Sequence, residues 1–173
     1  MKTSLRLSLV ALLSLGCVGC DQATKGVARL YLPRGVTQSF FHDVLRLSYT
    51  ENSGAFLSMG ESLPLPVRNG ILVAAVGGVL LAVLGAALLS RRLPALQVAA
   101  LSLLAGGGLS NWLDRVMNAG RVTDFLNVGL GGLRTGIFNV ADVAILAGTL
   151  LLMMGWSRRG EETAESARAR DRR

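Results

Sequence analysis

Four aspartates, three asparagines and two cations fall into short groups along an otherwise apolar chain. They are Asp21 with Lys25, Asn52, Asn111 with Asp114 and Arg115, Asp124, and Asn139 with Asp142. Asp21 and Lys25 are four apart and each Asn–Asp pair three apart, so on a helix each group shares one face. A carboxylate within a lipid-embedded helix costs about 2.5–3.5 kcal/mol by insertion scales, so such residues mark function or a protein-facing interior. Asp142 stands about five residues inside an apolar run with no basic residue within a turn, and Asp124 lies in the apolar setting Val122-Thr123-Asp124-Phe125. Two carboxylates brought together in a low-dielectric site cannot both ionise. One proton is shared: the ionised member can deprotonate water while the protonated one polarises a carbonyl. Asp124 and Asp142 are the candidates for such a pair. The other groups carry two readings, as the lining of a polar pocket or as caps and interhelical hydrogen bonds in which Lys25 and Arg115 neutralise Asp21 and Asp114.

Other chemistries have less behind them. The single histidine, His42, sits beside Phe40 and Phe41 on an expected strand, which argues against a His-based metal site. Cys17-Val18-Gly19-Cys20 has the C-x-x-C form without the strand-then-helix setting of a redox motif. No G-x-S-x-G elbow or spare histidine supports a serine hydrolase. Gly106-Gly107-Gly108 lies in an apolar run with no Lys-Ser/Thr after it, which favours close helix packing over phosphate binding.

The elements that must position these groups are mainly membrane helices. Of 173 residues 51% are hydrophobic and only 17% charged, with a mean hydropathy of +0.48, against both a soluble enzyme and a disordered chain. Apolar stretches run over Leu7–Cys20, Val67–Ser90, Ala95–Leu113 and Ile137–Trp156, which predicts four crossings with both termini on one side. Taking Met1–Arg6, Arg91–Pro94 and Ser157–Arg173 as cytoplasmic places ten of the 18 Lys and Arg there, against seven in the longer outer segments Asp21–Pro66 and Asp114–Gly136. All the polar groups then share the outer side. Six of the 18 basic residues sit with four acidic ones in the mixed-charge tail, so nucleic acid is not an expected partner. Residues 1–156 form one membrane domain and 157–173 a charged cytoplasmic tail. Val36–Thr50 has the composition and alternation of short strands, giving a small β-containing outer platform. Phe56–Pro66 reads as a loop or short interfacial helix, and Asn118–Gly136, with five glycines, as a mobile loop. Met1–Cys20 looks much like a lipoprotein signal peptide, but Ser14 and Cys17 stand where Leu is expected and three more apolar spans follow, so a retained first helix is expected.

Taken together, Asp21-Gln22-x-x-Lys25, Tyr49-Thr50-x-Asn52-x-Gly54-Ala55, Asn111-x-x-Asp114-Arg115, Val122-x-Asp124-Phe125 and Phe138-Asn139-x-Ala141-Asp142 resemble the motifs of lipoprotein signal peptidase, the bacterial signal peptidase II. The resemblance covers about Asp21 to Leu146. It implies a multi-pass inner-membrane aspartyl endopeptidase, working as a monomer near the outer face without metal or cofactor. Its substrates would be diacylglyceryl-modified prolipoproteins, cut on the N-terminal side of the lipidated cysteine, and globomycin-type cyclic peptides would inhibit it. The family's catalytic aspartates fall on Asp124 and Asp142. Its substrate-binding or site-supporting positions fall on Asp21, Lys25, Asn52, Asn111, Asp114, Arg115 and Asn139. Two departures stand out: Ser110 where the family has Gly, and Phe56-Leu57 where it has Ala-Phe. The competing class is a non-catalytic polytopic scaffold or small transporter, in which Asp142→Asn would keep function.

Overall fold

The structure, a computed structural model, describes residues 1–54, 63–90 and 92–171, with only the backbone described at 65, 68, 69, 72 and 157–171. The first helix, α1, runs Thr3–Tyr31, well past Cys20. The expected end at Asp21 was an end of apolar sequence only. Asp21 and Lys25 bridge one helical turn at 2.6 Å and are fully buried, so their charges do not stop the helix. What does stop it is Pro33, which forces the preceding Leu32 out of helical backbone to φ −99°, ψ 110°.

Strands β1 (Thr37–Phe40) and β2 (Leu45–Asn52) follow as an antiparallel hairpin, as the alternation predicts. His42 lies in its exposed turn, not on a strand. The turn holds Phe41, His42 and Asp43 all at positive φ, pinned by hydrogen bonds from Ser39 and Arg46 to the Asp43 carboxylate. The expected Phe56–Pro66 connector and the Phe56-Leu57 departure fall largely outside the described residues. A short helix α2 (Leu65–Gly70) passes through a π turn (Ile71–Ala75) into α3 (Val76–Leu89). The Val73 carbonyl accepts the Val76 N–H at the end of that turn and also takes the Trp112 indole N–H at 2.8 Å, tying the π turn to the helix that follows. Helix α4 (Ala95–Met117) begins after Pro94.

The segment expected to be a mobile loop instead forms β3 (Val122–Leu130), which pairs along β2, and then β4 (Leu133–Arg134). The sheet order is β1-β2-β3-β4. Its glycines cluster at the β3–β4 turn, where Gly131 has φ +57°, while Val122–Phe125 is buried along its whole length. Helix α5 spans Val140–Asp171, starting three residues later than the apolar run and continuing through the charged C-terminal stretch.

Helix α4 is the central element, and its glycines explain why. A Cβ on Gly106 would lie 2.8 Å from the Ser14 backbone of α1, and one on Gly107 2.5 Å from the Ala141 carbonyl of α5. On Gly108 it would strike Leu80 of α3. Three consecutive small residues thus admit three helices, as the packing reading of that triplet expects. Among the described residues α1 and α4 are long and apolar enough to cross a bilayer by length and composition. Val73–Leu89 and Val140–Trp156 are shorter apolar helices. The observed class is mainly helical with a small antiparallel sheet.

Candidate functional site

The start of α5 organises the site. Backbone N–H groups in a helix's first turn have no partner within the helix. Here Asn139 precedes the helix, and its Oδ1 accepts the Asp142 N–H at 3.0 Å while its own N–H donates to Asp142 Oδ2 at 3.1 Å. This is a reciprocal capping box with Asn and Asp in place of the usual Ser/Thr and Glu. The Ala141 N–H is taken by Asp21 Oδ1 at 2.8 Å, reaching across from α1. Three donors of a buried helix start are thus satisfied by carboxylates or an amide, and negative charge there is favoured by the helix dipole.

Asn139 also reaches β3. Its amide Nδ2 donates to Asp124 Oδ1 at 2.6 Å, to Asn111 Oδ1 at 3.1 Å and to the Thr123 carbonyl at 3.3 Å. Asp124 receives a second amide from Asn52 Nδ2 at 3.1 Å, and the Asn52 Oδ1 accepts the Gly54 N–H at 3.0 Å. Asp142 Oδ1 receives Asn111 Nδ2 at 2.9 Å. Among the described residues neither Asp124 nor Asp142 has an ion-pair partner. Burial pushes the Asp124 carboxyl up to about 6; the Asp142 carboxylate adds to the rise, and Asn52, Asn139 and Lys25 oppose it.

Behind the pair lies a fully buried ammonium. Lys25 Nζ lies 2.6 Å from Asp21 Oδ2 and 3.0 Å from Asp114 Oδ2, and donates to Asn111 Oδ1 at 2.8 Å. That contact decides which way the Asn111 amide faces: its oxygen meets the ammonium, so its N–H group meets Asp142. Arg115 donates through Nη2 to the Gly54 carbonyl at 2.8 Å and through Nη1 to the Asn111 carbonyl at 3.3 Å. Its Nε is buried without a hydrogen-bond partner among the described residues. All nine residues singled out in the sequence therefore join one connected network drawn from α1, β2, α4, β3 and α5. Asp21 and Lys25 sit inside α1 instead of at its end, and Asp124 sits on a strand.

Four members of the network were not among those nine. Gln22 Nε2 donates to Ser110 Oγ at 2.9 Å and to Asp114 Oδ1 at 3.1 Å, and Ser110 Oγ donates to Asp21 Oδ2 at 2.7 Å. Ser110, where the resembling family carries Gly, thus adds a donor to a buried carboxylate. Arg29 Nη2 lies 3.2 Å from Asp114 Oδ1 and also donates to Thr123 Oγ1. Arg29 continues the four-residue spacing of Asp21 and Lys25, and that periodicity was the available signal. Cys17 and Cys20 are free thiols, and among the described residues no group of three or more His, Cys, Asp or Glu could hold a metal ion.

A family model described as signal peptidase (SPase) II matches residues 13–157. A lipoprotein signal peptidase of Chlorobium luteolum is 33% identical over 173 residues, spanning 94% of this chain and 99% of that protein. One from Sphingopyxis alaskensis is 38% identical over 158 residues, spanning 84% and 83%. A bacterial membrane enzyme solved by the in meso method at 2.3 Å matches with a TM-score of 0.78 at 24% identity, over 88% of this chain and 90% of that one. A second, solved at 1.9 Å, matches with a TM-score of 0.73, also at 24% identity.

Proposed function

This chain belongs to the signal peptidase II family, and from that premise we propose that it is a membrane aspartyl endopeptidase with Asp124 and Asp142 as its catalytic pair. It removes signal peptides from diacylglyceryl-modified prolipoproteins, cutting on the N-terminal side of the lipidated cysteine. The observation that carries this reading is the shared anchor: one asparagine, Asn139, donates to Asp124 and caps the helix turn bearing Asp142.

Water attacks the scissile carbonyl carbon and gives a proton to Asp142, while Asp124, protonated below about pH 6, gives its own to the carbonyl oxygen. The resulting gem-diol collapses with cleavage of the C–N bond. The leaving nitrogen takes the proton from Asp142, and a diol hydroxyl returns one to Asp124. Asn52, Asn111 and Arg115 border the pair and supply donors to a peptide whose polar groups are otherwise unsatisfied at membrane depth. The lipid on the substrate cysteine keeps the scissile bond at the outer interface and converts the encounter into a positioned one. Four crossings of the bacterial inner membrane, with both termini and the 157–173 tail cytoplasmic, put the pair near that interface. The enzyme works as a monomer without metal or cofactor, and globomycin-type peptides occupy the site.

The test is incubation of the purified chain with a diacylglyceryl-modified prolipoprotein, with and without globomycin, followed by product mass. A product starting at the lipidated cysteine, absent with globomycin and absent for folded Asp124→Asn and Asp142→Asn, is expected. Cleavage by folded Asp142→Asn would overturn the reading.

A further inference from the structure

Resting on the peptidase reading, we propose that Thr123 is a positioning residue for Asp124, held for that purpose by Arg29. Every polar group of Thr123 is tied to a different helix. Its hydroxyl accepts Arg29 Nε at 3.1 Å and Nη2 at 2.9 Å from α1. Its N–H donates to Asp114 Oδ2 of α4 at 3.1 Å, and its carbonyl accepts Asn139 Nδ2, at the start of α5, at 3.3 Å. Thr123 is 2% exposed and is therefore the point where the strand bearing Asp124 is registered against three helices.

Successive side chains of a strand face opposite ways. The Thr123 hydroxyl accordingly meets α1, while Asp124 meets Asn52 and Asn139. Thr123 does not touch the reacting atoms; it acts through the placement of the next residue. Its β-strand partners cannot do this alone, because the β2–β3 register is interrupted between Leu47 and Thr50, directly before the pair Thr50 and Asp124. Arg29 is suited to the task because its guanidinium spans Thr123 and Asp114 together, locking hydroxyl and N–H of one residue to a single side-chain cluster.

The test uses the full chain in detergent micelles and a diacylglyceryl-cysteine peptide, with rates normalised to folded enzyme. Thr123→Val keeps the shape, the N–H and the carbonyl and deletes only the hydroxyl. It is expected to lower kcat by about tenfold, since small misplacements of a reacting group are costly, with KM changed less than about twofold. A loosened Asp124 gains water, so the alkaline limb of kcat/KM moves to lower pH, which a loss of folded protein alone would not do. Thr123→Ser is expected to restore both rate and limb. Arg29→Lys, which keeps the charge beside Asp114, is expected to reproduce the Thr123→Val result and stands in for it if that variant does not fold. Unchanged kcat in Thr123→Val, an equal loss in Thr123→Ser, or a loss with an unmoved limb would each overturn the inference while leaving the peptidase reading intact. A wild-type chain that leaves the peptide uncut would remove both.

Discussion

Replacing Lys25 by Met tests the centre of the network. Lys25 is fully buried, and its three N–H groups are matched by Asp21 Oδ2 at 2.6 Å, Asp114 Oδ2 at 3.0 Å and Asn111 Oδ1 at 2.8 Å. Methionine fills nearly the same volume, so cavity formation contributes little. What remains is charge. Asp114 keeps Arg29 at 3.2 Å, but among the described residues Asp21 keeps only the neutral donors Ser110 and Ala141 N–H. Removing one member of a buried pair costs about 3–5 kcal/mol because it strands the other. With Arg29 still serving Asp114, the expected loss is near the lower end, about 3 kcal/mol. That is a large share of the roughly 5–15 kcal/mol that holds a typical domain together. The assay is equilibrium unfolding in mixed micelles followed by circular dichroism. Asp21→Asn added to Lys25→Met removes the stranded charge, so the double variant is expected to recover about 1–2 kcal/mol of coupling. A Lys25→Met loss below about 0.5 kcal/mol, or strict additivity in the double variant, would refute the view that this ammonium is structurally committed.

Four further outcomes follow from the same geometry. Raising the Asp124 pKa from 3.8 to about 6 means the folded chain binds more protons than the unfolded one across that window, so stability falls as pH rises through it. The shift of about two units amounts to on the order of 3 kcal/mol; Asp124→Asn is expected to flatten the profile and to unfold later than wild type above about pH 6, read by unfolding at a series of pH values. With Asp124 as the proposed proton donor, loss of the same proton is expected to make kcat/KM fall as pH rises through about 6, read from a pH–rate profile. Gly107→Ala drives a Cβ to 2.5 Å from the Ala141 carbonyl in the first turn of α5, and is expected to cost about 1–3 kcal/mol or more and to depress activity. Gly85→Ala meets nothing within 4 Å and is expected to be neutral or slightly stabilising by thermal melt.

The parts of the site that were legible in the sequence are those carried by helical spacing. Asp21 with Lys25, Asn111 with Asp114 and Asn139 with Asp142 each join the network, because residues three or four apart share a face. Hydropathy misled where charges neutralise one another. The apolar run ends at Cys20, but the ion pair of Asp21 and Lys25 lets α1 continue to Tyr31, and that extension carries Arg29 to the site. Composition misled at Asn118–Gly136. Its glycines suggest a loop, but Val122–Phe125 is buried on both faces and therefore lacks the alternation that identifies a strand. Its pairing with β2 spans 70 or more residues of sequence and leaves no local trace.

Asp142 is where the structural and the chemical accounts meet. A carboxylate at the third position of a helix needs no catalytic reason, since it caps the chain entering the helix and complements its dipole. The sequence made Asp142 look stranded inside an apolar span; the capping box with Asn139 removes that anomaly. A cap, however, uses one oxygen. It does not account for the second, Oδ1, meeting an amide from α4 whose orientation is imposed by a buried lysine on α1. Nor does it account for the capping asparagine extending its own amide to a desolvated carboxylate on β3. A scaffold would gain by replacing Asp124 with a neutral residue, because its burial beside Asp142 costs stability above about pH 6. Retaining a carboxyl there, with two amides aimed at it, makes sense for a group that must hold and release a proton.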